Sequence, residues 1–318
     1  DLKVLSCNDN MISNLIIDQS LDLFDLVCYN NNISSLDVTN NINLRDLIVS
    51  QNNLTSLNLS NNAILEDLYF NENQIEMIDL TNNPILEAVK CDNNPLTGLD
   101  LSANPSMKYL YCSFTPITSL DFTQNPDISV IDCKNSSLQE LVLGNNPILQ
   151  RVYCQNNQLT EIKITGENNL QELDCFNNLL TKLEVRDLDY AIVLNAQNNP
   201  DLFCVEVDDP ITIYDANSIY VDPQVTLNIN CSADDDADGI DNNTDHCPNT
   251  SLGDTADSNG CATDQNGDDD NDGVINGIDK CPGTQIGEPV NYFGCALSEI
   301  ITFLDTGFKN RFIHNYSV

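Results

Sequence analysis

One pattern of apolar and polar positions recurs every 21 residues between residues 2 and 207. The segment LQRVYCQNNQLTEIKI, residues 149–164, represents it, with apolar residues at its first, fourth, sixth, eleventh, fourteenth and sixteenth positions. The fourth position occurs ten times, at Leu5, Leu26, Leu47, Leu68, Val89, Leu110, Ile131, Val152, Leu173 and Leu194. A fixed period of this size predicts a solenoid, in which each coil buries its apolar face against its neighbours.

Each repeat predicts one strand followed by one turn. Apolar residues alternate with polar ones around the fourth position, as at Val152 and Cys154, which is the period of a strand with one buried face. We therefore predict a mainly β fold with a parallel sheet on the concave face of the solenoid.

An asparagine follows each strand in most coils, at Asn10, Asn31, Asn52, Asn73, Asn94, Asn157, Asn178 and Asn199. Its amide can satisfy backbone groups of the turn and of the adjacent coil. Thr115 and Ser136 interrupt this column, and a hydroxyl is expected to do the same more weakly.

These repeats, with Cys at the sixth position and Leu-Asp-Leu-Ser-x-Asn-Pro closing the coil, resemble the leucine-rich repeat family. The short 21-residue form is similar to repeats of surface proteins from Bacteroidetes-type bacteria. The resemblance implies a curved, right-handed solenoid that binds a ligand. Residues 203–231 resemble the closing cap of such proteins, so we assign residues 1–231 to the solenoid and its cap.

Residues 232–295 contain two copies of a second motif, DDDADGIDNNTDHCP and DDDNDGVINGIDKCP, each followed later by Gly-Cys. Carboxylates at positions 1, 3, 5 and 12, a glycine at 6 and a main-chain oxygen at 7 are the spacing of calcium loops. The predicted Ca²⁺ ligands are Asp234, Asp236, Asp238, Ile240 and Asp245, then Asp268, Asp270, Asp272, Val274 and Asp279. Asp264 and Asn266 could hold a further ion.

An EF-hand needs helices on both sides of its loop, whereas each loop here runs directly into Cys-Pro. The segment instead resembles thrombospondin type 3 repeats of the bacterial kind, which implies two loop-rich calcium repeats. The alternative is a solvated acidic linker without bound ions. Residues 296–318 are interpreted either as the start of a further module or as a disordered tail.

The formal net charge of -37 argues against nucleic acid and anionic membranes as partners and favours cations such as Ca²⁺. No apolar run approaches the length of a membrane span.

The thirteen cysteines form two groups. Seven occupy the sixth repeat position, where other coils carry Val49, Phe70 and Ala196, so we predict buried thiols and not a metal or redox site. They are Cys7, Cys28, Cys91, Cys112, Cys133, Cys154 and Cys175. The other six pair by spacing as Cys204 with Cys231, Cys247 with Cys261, and Cys281 with Cys295. Such a disulfide framework indicates an oxidising setting, either extracellular or at the cell surface.

Side chains flanking the buried strand positions are expected to face outward. Ser113 is among them, and its replacement is predicted to cost little. Aromatic and basic residues form a band on this face, comprising Tyr69, Lys90, Tyr109, Tyr111, Phe114, Lys134, Arg151, Tyr153 and Phe176. Such residues are common anchors of binding. Alternatively, they are only the tyrosines that exposed strands often carry.

No constellation of catalytic residues is evident, and both histidines, His246 and His314, lie outside the repeats. We therefore predict a protein that is not an enzyme: a secreted or cell-surface scaffold for protein binding or adhesion. Its concave face would recognise a protein or glycan, and the calcium repeats would form a stiff stalk. The alternatives are a structural spacer in a long adhesin or surface-layer protein, or the non-catalytic part of a larger secreted enzyme.

Overall fold

The computed structural model describes residues 2–166, 169–186, 192–208, 218–234, 236, 238–247, 250, 254–262, 265–277, 279, 281, 283, 284 and 290. It contains two compact units. The first comprises Asp1–Asp222 with Leu227–Ile229, and the second Pro223–Thr226 with Asn230–Val318. The two interpretations of residues 296–318 concern a segment outside the described residues.

An eleven-stranded parallel sheet runs through the first unit. Its strands, in spatial order, are β1 (Val4–Ser6), β2 (Asp25–Val27), β3 (Asp46–Ile48), β4 (Asp67–Tyr69), β5 (Ala88–Lys90), β6 (Tyr109–Tyr111), β8 (Val130–Asp132), β10 (Arg151–Tyr153), β12 (Glu172–Asp174), β14 (Val193–Asn195) and β16 (Ile219–Tyr220). Through β14 the register joins residues one repeat apart, as Val89 pairs with Leu110. The predicted mainly β solenoid of about ten coils is confirmed.

Two smaller parallel sheets form from the second half of the later repeats. One contains β7 (Ser119–Asp121) and β9 (Glu140–Val142), and the other contains β11 (Glu161–Ile164), β13 (Lys182–Val185), β15 (Cys204–Val207) and β17 (Thr226–Asn228). The repeat pattern predicts only one strand per coil, so these strands are additional to the prediction. Within the described part of the chain, no helix is long and apolar enough to cross a membrane.

The apolar columns of the repeat form the core of the first unit. Leu68, Leu110 and Val152 are fully buried, because the coils on both sides cover them. The seven cysteines at the sixth position are free thiols, as predicted. Only Cys7 is partly exposed, since β1 is the edge strand of its sheet. Burial raises the pKa of the thiols, that of Cys28 to about 12, so they stay protonated at neutral pH.

Alkylation of the native, unreduced protein is expected to leave Cys28, Cys112 and Cys154 unlabelled, because protonated and buried thiols react slowly. Denaturation without reduction should expose them to full labelling, measured by peptide mass spectrometry. Cys7 should react first among the seven because it is the one partly exposed member. A disulfide between any two of these seven would contradict this account.

The asparagine column joins each coil to its neighbour. The Asn94 amide nitrogen donates to the carbonyl oxygen of Cys91 in its own coil (3.1 Å) and to that of Phe70 in the preceding coil (3.0 Å). Its side-chain oxygen accepts the backbone N–H of Ile75 (3.0 Å). The predicted role of this column, satisfying backbone groups within and between coils, is therefore confirmed.

A second asparagine column, not predicted, supports the opposite turn of the coil. Its members are almost fully buried at Asn41, Asn62, Asn83, Asn104, Asn125 and Asn146. Asn104, for example, donates to the carbonyl oxygens of Leu80 (3.0 Å) and Asn83 (2.8 Å) in the preceding coil. Hydrogen bonds at both turns thus fix the spacing between coils.

Candidate functional site

A depression of about 250 Å³ lies on the solvent-facing side of the eleven-stranded sheet, here called the sheet face. Its lining comprises Asn71, Glu72, Lys90, Asp92, Asn93, Tyr111, Ser113, Phe114, Asp132 and Lys134. Four of these, Lys90, Tyr111, Phe114 and Lys134, belong to the aromatic and basic band identified in the sequence. The carboxylates and amides around them were not predicted as site residues.

The other members of the band lie outside this lining. Tyr69 and Tyr153 lie in the same side-chain column as Tyr111, in register on β4 and β10. Tyr109 and Arg151 occupy the neighbouring column and are exposed, and Phe176, which follows β12, is partly buried. The sheet therefore places these five residues on or beside the sheet face, but it brings only the central four into one depression.

Phe114 breaks the rule that its position follows in every other coil. One residue per coil, just after the strand, adopts a left-handed conformation, and it is Asn, Asp, Gln or Glu everywhere except at Phe114, where φ is 57°. A bulky residue is unusual in this region of backbone space. The ring is also 53 % exposed. Phe114 thus holds an exposed aromatic side chain at the rim of the depression, although its backbone conformation is unfavourable for a bulky residue.

The asparagine column is interrupted beside Phe114. The Thr115 hydroxyl donates to the carbonyl oxygen of Cys112 (2.7 Å), and the Thr115 N–H donates to the Ser136 hydroxyl (3.3 Å). The Ser136 hydroxyl in turn reaches the carbonyl of Cys112 at 3.4 Å. These hydroxyls replace the asparagine bonds, as expected, and their weaker support of the turn stays a prediction. Two departures from the repeat therefore occur together at the depression.

A hydrogen-bonded network of charged groups forms the floor of the depression. Asp92 Oδ1 accepts the backbone N–H of Ser113 (2.9 Å), and the Ser113 hydroxyl donates to Asp132 Oδ1 (2.6 Å). Lys134 Nζ donates to Asp132 Oδ2 (2.9 Å). The predicted exposure of Ser113 is wrong, because the residue is only 2 % exposed, its hydroxyl donates to Asp132 and its backbone N–H donates to Asp92. That its replacement costs little stays a prediction. Ser113 lines the depression, and the groups around it cover its side chain.

Charge interactions and one further hydrogen bond extend this network along the sheet face. Burial raises the pKa of Asp92, and the nearby charge of Asp132 adds to this effect. Lys134 Nζ lies 6.0 Å from the centroid of the Tyr153 ring, within range of a cation–π interaction. The Tyr153 hydroxyl donates to Glu172 Oε2 (2.7 Å). The side chains around the depression are therefore held in place before any ligand arrives.

In the second unit, the two acidic loops have nearly the same geometry. The carboxylate oxygens of Asp234, Asp236 and Asp238 lie within 4.8 Å of one another, and so do those of Asp268, Asp270 and Asp272. Gly239 and Gly273 both have φ of 98°, a conformation that glycine adopts readily and that turns each loop at its sixth position.

The same backbone hydrogen bonds hold both acidic loops. Asp234 Oδ2 accepts the Gly239 N–H (2.8 Å), and Asp268 Oδ2 accepts the Gly273 N–H (3.0 Å). Further along, the N–H groups of Thr250 and Thr284 donate to Asp236 Oδ2 and Asp270 Oδ2, both at 2.7 Å. The N–H groups of Ile240 and Val274 donate to Asp238 and Asp272 (2.9 and 2.8 Å).

Several carboxylate oxygens in these loops are buried without a hydrogen-bond partner, namely Asp238 Oδ2, Asp268 Oδ1 and Asp272 Oδ2. Asp245 is 1 % exposed, and burial raises its pKa to about 7, with the charges of Asp236 and Asp238 adding to the effect. Converging carboxylate oxygens that lack donors fit a hard cation such as Ca²⁺. The donor set thus fits the predicted ion.

A disulfide joins Cys247, just after the first loop, to Cys261, as the spacing predicts. Cys204, Cys231 and Cys281 are also disulfide-bonded, whereas Cys295 lies outside the described residues. Asp264 is likewise outside them, so the further ion proposed at Asp264 and Asn266 stays a prediction. The Asn266 amide nitrogen donates to Asp257 Oδ2 (3.3 Å).

The fold and its ladders define a parallel solenoid of the leucine-rich repeat type, and comparison with solved structures agrees. The functional domain of InlJ from Listeria monocytogenes, described as including a cysteine ladder, is 25 % identical with a TM-score of 0.58. The match covers 80 % of this chain and 58 % of that one, so the chain spans a little over half of the InlJ structure.

Two further leucine-rich repeat structures share the fold. The LRIM1/APL1C complex matches with a TM-score of 0.54 and 20 % identity, over 72 % of this chain and 48 % of that one. The ectodomain of the receptor kinase GASSHO1/SCHENGEN3 from Arabidopsis thaliana was solved with CASPARIAN STRIP INTEGRITY FACTOR 2. It matches with a TM-score of 0.52 and 18 % identity, over 72 % of this chain and 33 % of that one. No family model and no curated protein matches the sequence.

Proposed function

We propose that this chain is a secreted or cell-surface protein-binding scaffold, and that the depression around Phe114 is the centre of its recognition face. The supporting observation is the coincidence of departures from the repeat at one place. The left-handed aromatic, the two hydroxyls in the asparagine column and the network through Ser113 all adjoin the depression. If the solenoid served only as a spacer, such unfavourable departures from the repeat would not be expected to cluster on its open face.

The chemistry of this face suits a protein partner. Tyr109 and Phe114 are 41 % and 53 % exposed, and Tyr111 lies between them on the same coil. Aromatic side chains contribute large contact areas at interfaces, and a polar rim of carboxylates and lysines would orient the partner. The network that holds Lys134 reduces the conformational entropy that binding would otherwise cost.

The compartment and the second unit complete the proposal. The disulfides and the leucine-rich repeat fold support an extracellular or cell-surface location. The two acidic loops would bind Ca²⁺ through Asp234, Asp236, Asp238 and Asp245, and through their counterparts Asp268, Asp270, Asp272 and Asp279. Bound calcium would neutralise the carboxylates and stiffen the segment. The role of the chain in this proposal is non-catalytic.

The Phe114→Asn variant tests the recognition face. Asn occupies this position in coils such as those of Asn93 and Asn135, so the variant should fold with an unchanged or higher unfolding midpoint. Peptides selected from a random display library against the wild-type protein should bind Phe114→Asn and Tyr111→Ala at least about tenfold more weakly, since anchor residues often contribute over 1.4 kcal/mol.

The matched control is Leu179→Asn, which removes an exposed apolar side chain (50 % exposed) elsewhere on the solenoid. It should leave the affinity of the selected peptides unchanged. Biolayer interferometry provides the dissociation constants. If selected peptides bind all three variants as tightly as the wild type, the recognition face lies elsewhere and the spacer alternative gains support.

A further inference from the structure

Three aspartates form a ladder across the sheet face beside the depression. Asp25 pairs in register with Asp46 on the next strand, and Asp46 pairs with Asp67. Neighbouring strands lie about 4.8 Å apart, so these three carboxylates project from the same face within about 10 Å of one another. Like charges directly opposite on adjacent strands destabilise a sheet. The ladder therefore stores repulsion that some partner could relieve.

The basic residues nearest the ladder form their ion pairs with other carboxylates. Arg45, the basic residue next to it, pairs with Glu66, and Lys108 pairs with Glu87 at 2.7 Å. Among the described residues, no ion pair reaches the three ladder carboxylates. The neighbouring column thus balances its own charges and leaves the ladder acidic.

Burial makes the unbalanced charge more costly. Asp25 Oδ1 is shielded from solvent and has no hydrogen-bond partner. Burial raises the pKa of Asp46, and the charge of Asp25 adds to the effect. The pKa of Asp67 is raised in the same way, by burial and then by the charge of Asp46. These groups would gain from a donor that is both charged and able to form hydrogen bonds.

An apolar column lies immediately beside the acidic one. Val27, Ile48 and Tyr69 are in register on β2, β3 and β4 and are partly exposed, each two residues beyond a ladder aspartate. The column continues through Lys90 to Tyr111 in the depression. The face therefore presents parallel acidic and apolar tracks, and the column of the apolar track leads to Tyr111 in the proposed recognition centre.

We propose that these two tracks bind a basic, extended segment of the partner protein. Its Arg or Lys side chains would lie on Asp25, Asp46 and Asp67, and its apolar side chains on Val27, Ile48 and Tyr69. Side chains two residues apart in an extended chain are about 6.7 Å apart, so two or three basic residues span the ladder. A guanidinium can donate to a carboxylate through two parallel hydrogen bonds, which favours Arg. This inference rests on the proposed function of the sheet face.

The test uses the full chain and a fluorescein-labelled peptide of alternating arginine and valine, with EDTA present. The ladder variant combines Asp25→Asn, Asp46→Asn and Asp67→Asn. Fluorescence anisotropy should show the peptide binding this variant at least about tenfold more weakly than the wild type, because hydrogen bonds between ionised groups are roughly twice as strong as neutral ones. A peptide with glutamate in place of arginine should not bind.

The matched control removes the same three charges from a loop row that is not on the sheet face, through Asp37→Asn, Asp79→Asn and Asp100→Asn. Asn58 already occupies this row, and its side-chain oxygen accepts the Ser60 N–H (3.1 Å) as Asp37 accepts that of Thr39 (2.9 Å). The control should therefore fold normally and weaken peptide binding less than about twofold, because distant exposed charges are screened by salt. Thermal unfolding midpoints establish that both variants are folded.

Equal weakening by the two triple variants would show that the peptide responds only to net charge, which would overturn the inference. In a second titration without EDTA, competition by Ca²⁺ that is lost in the ladder variant would make the ladder a cation site and would also overturn the inference. If the peptide fails to bind while display-selected peptides still depend on Phe114, the inference is wrong but the proposed recognition face remains. If the arginine–valine peptide does not depend on the ladder aspartates and the display-selected peptides do not depend on Phe114, both the inference and the proposed recognition face are wrong.

Discussion

Leu110→Asp is expected to destabilise the solenoid by about 3–5 kcal/mol, because it places an unpaired carboxylate in a fully buried position between two coils. Val89 and Ile131 pair with Leu110 on the two sides, so the charge would disturb three coils together. Denaturant unfolding followed by circular dichroism should show a lower midpoint, or an early transition if the coils separate into two cooperative blocks.

The matched control is Leu179→Asp, which makes the same chemical change at a side chain that is 50 % exposed. Its cost should stay within about 0.5 kcal/mol, as for most surface substitutions. Similar losses for Leu110→Asp and Leu179→Asp would contradict the assignment of the fourth repeat position to a continuous core.

Removal of calcium is expected to destabilise the second unit strongly and to leave the first unit unchanged. Without a cation, the carboxylates of Asp234, Asp236 and Asp238 repel one another at separations below 4.8 Å. A chelator is therefore expected to increase proteolysis between Ser232 and Cys295, while residues before Cys204 stay protected by their hydrocarbon core. At a calcium concentration 100-fold above the dissociation constant, binding stabilises a folded site by about 2.7 kcal/mol.

Calorimetric titration of the full chain should resolve calcium binding, and Asp236→Asn or Asp270→Asn should weaken it at one loop each. Asp254→Asn removes an exposed carboxylate from the same segment and serves as the control. Two outcomes would contradict the proposal: no calcium binding at about millimolar concentration, the weak end of known sites, or a chelator that exposes both units to protease together.

The fold followed closely from the sequence because the repeat fixes both strand and register. A strict 21-residue spacing leaves Leu110 no other partners than Val89 and Ile131. The smaller sheets were missed because their signal is local and short. In β11, Glu161–Ile164 alternates exposed and buried residues over only four positions, and the same alternation around Leu57 and Leu59 occurs in a coil that forms no second strand.

Less of the candidate site than of the fold could be predicted from the sequence. Aromatic residues could be assigned to the sheet face by alternation, but the depression depends on contacts between side chains of neighbouring coils. Ser113 lies on the sheet face as alternation predicts, but its bonds to Asp92 and Asp132 leave it buried there, which the pattern along one strand does not reveal. The signal that could have located the centre is the position of Phe114, where every other coil carries Asn, Asp, Gln or Glu. The sequence pattern places Phe114 on the exposed surface but does not show that its position requires a left-handed backbone conformation.

The asparagine columns have a consequence for how such a chain can change its length. Every inter-coil bond of Asn94 or Asn104 reaches only the adjacent coil. Duplication or loss of one whole 21-residue unit therefore recreates each bond with a new neighbour, whereas insertion of a single residue misaligns both columns at once. Genes encoding this solenoid should consequently vary in steps of one repeat, and the distance between its two ends can change without redesign of any contact.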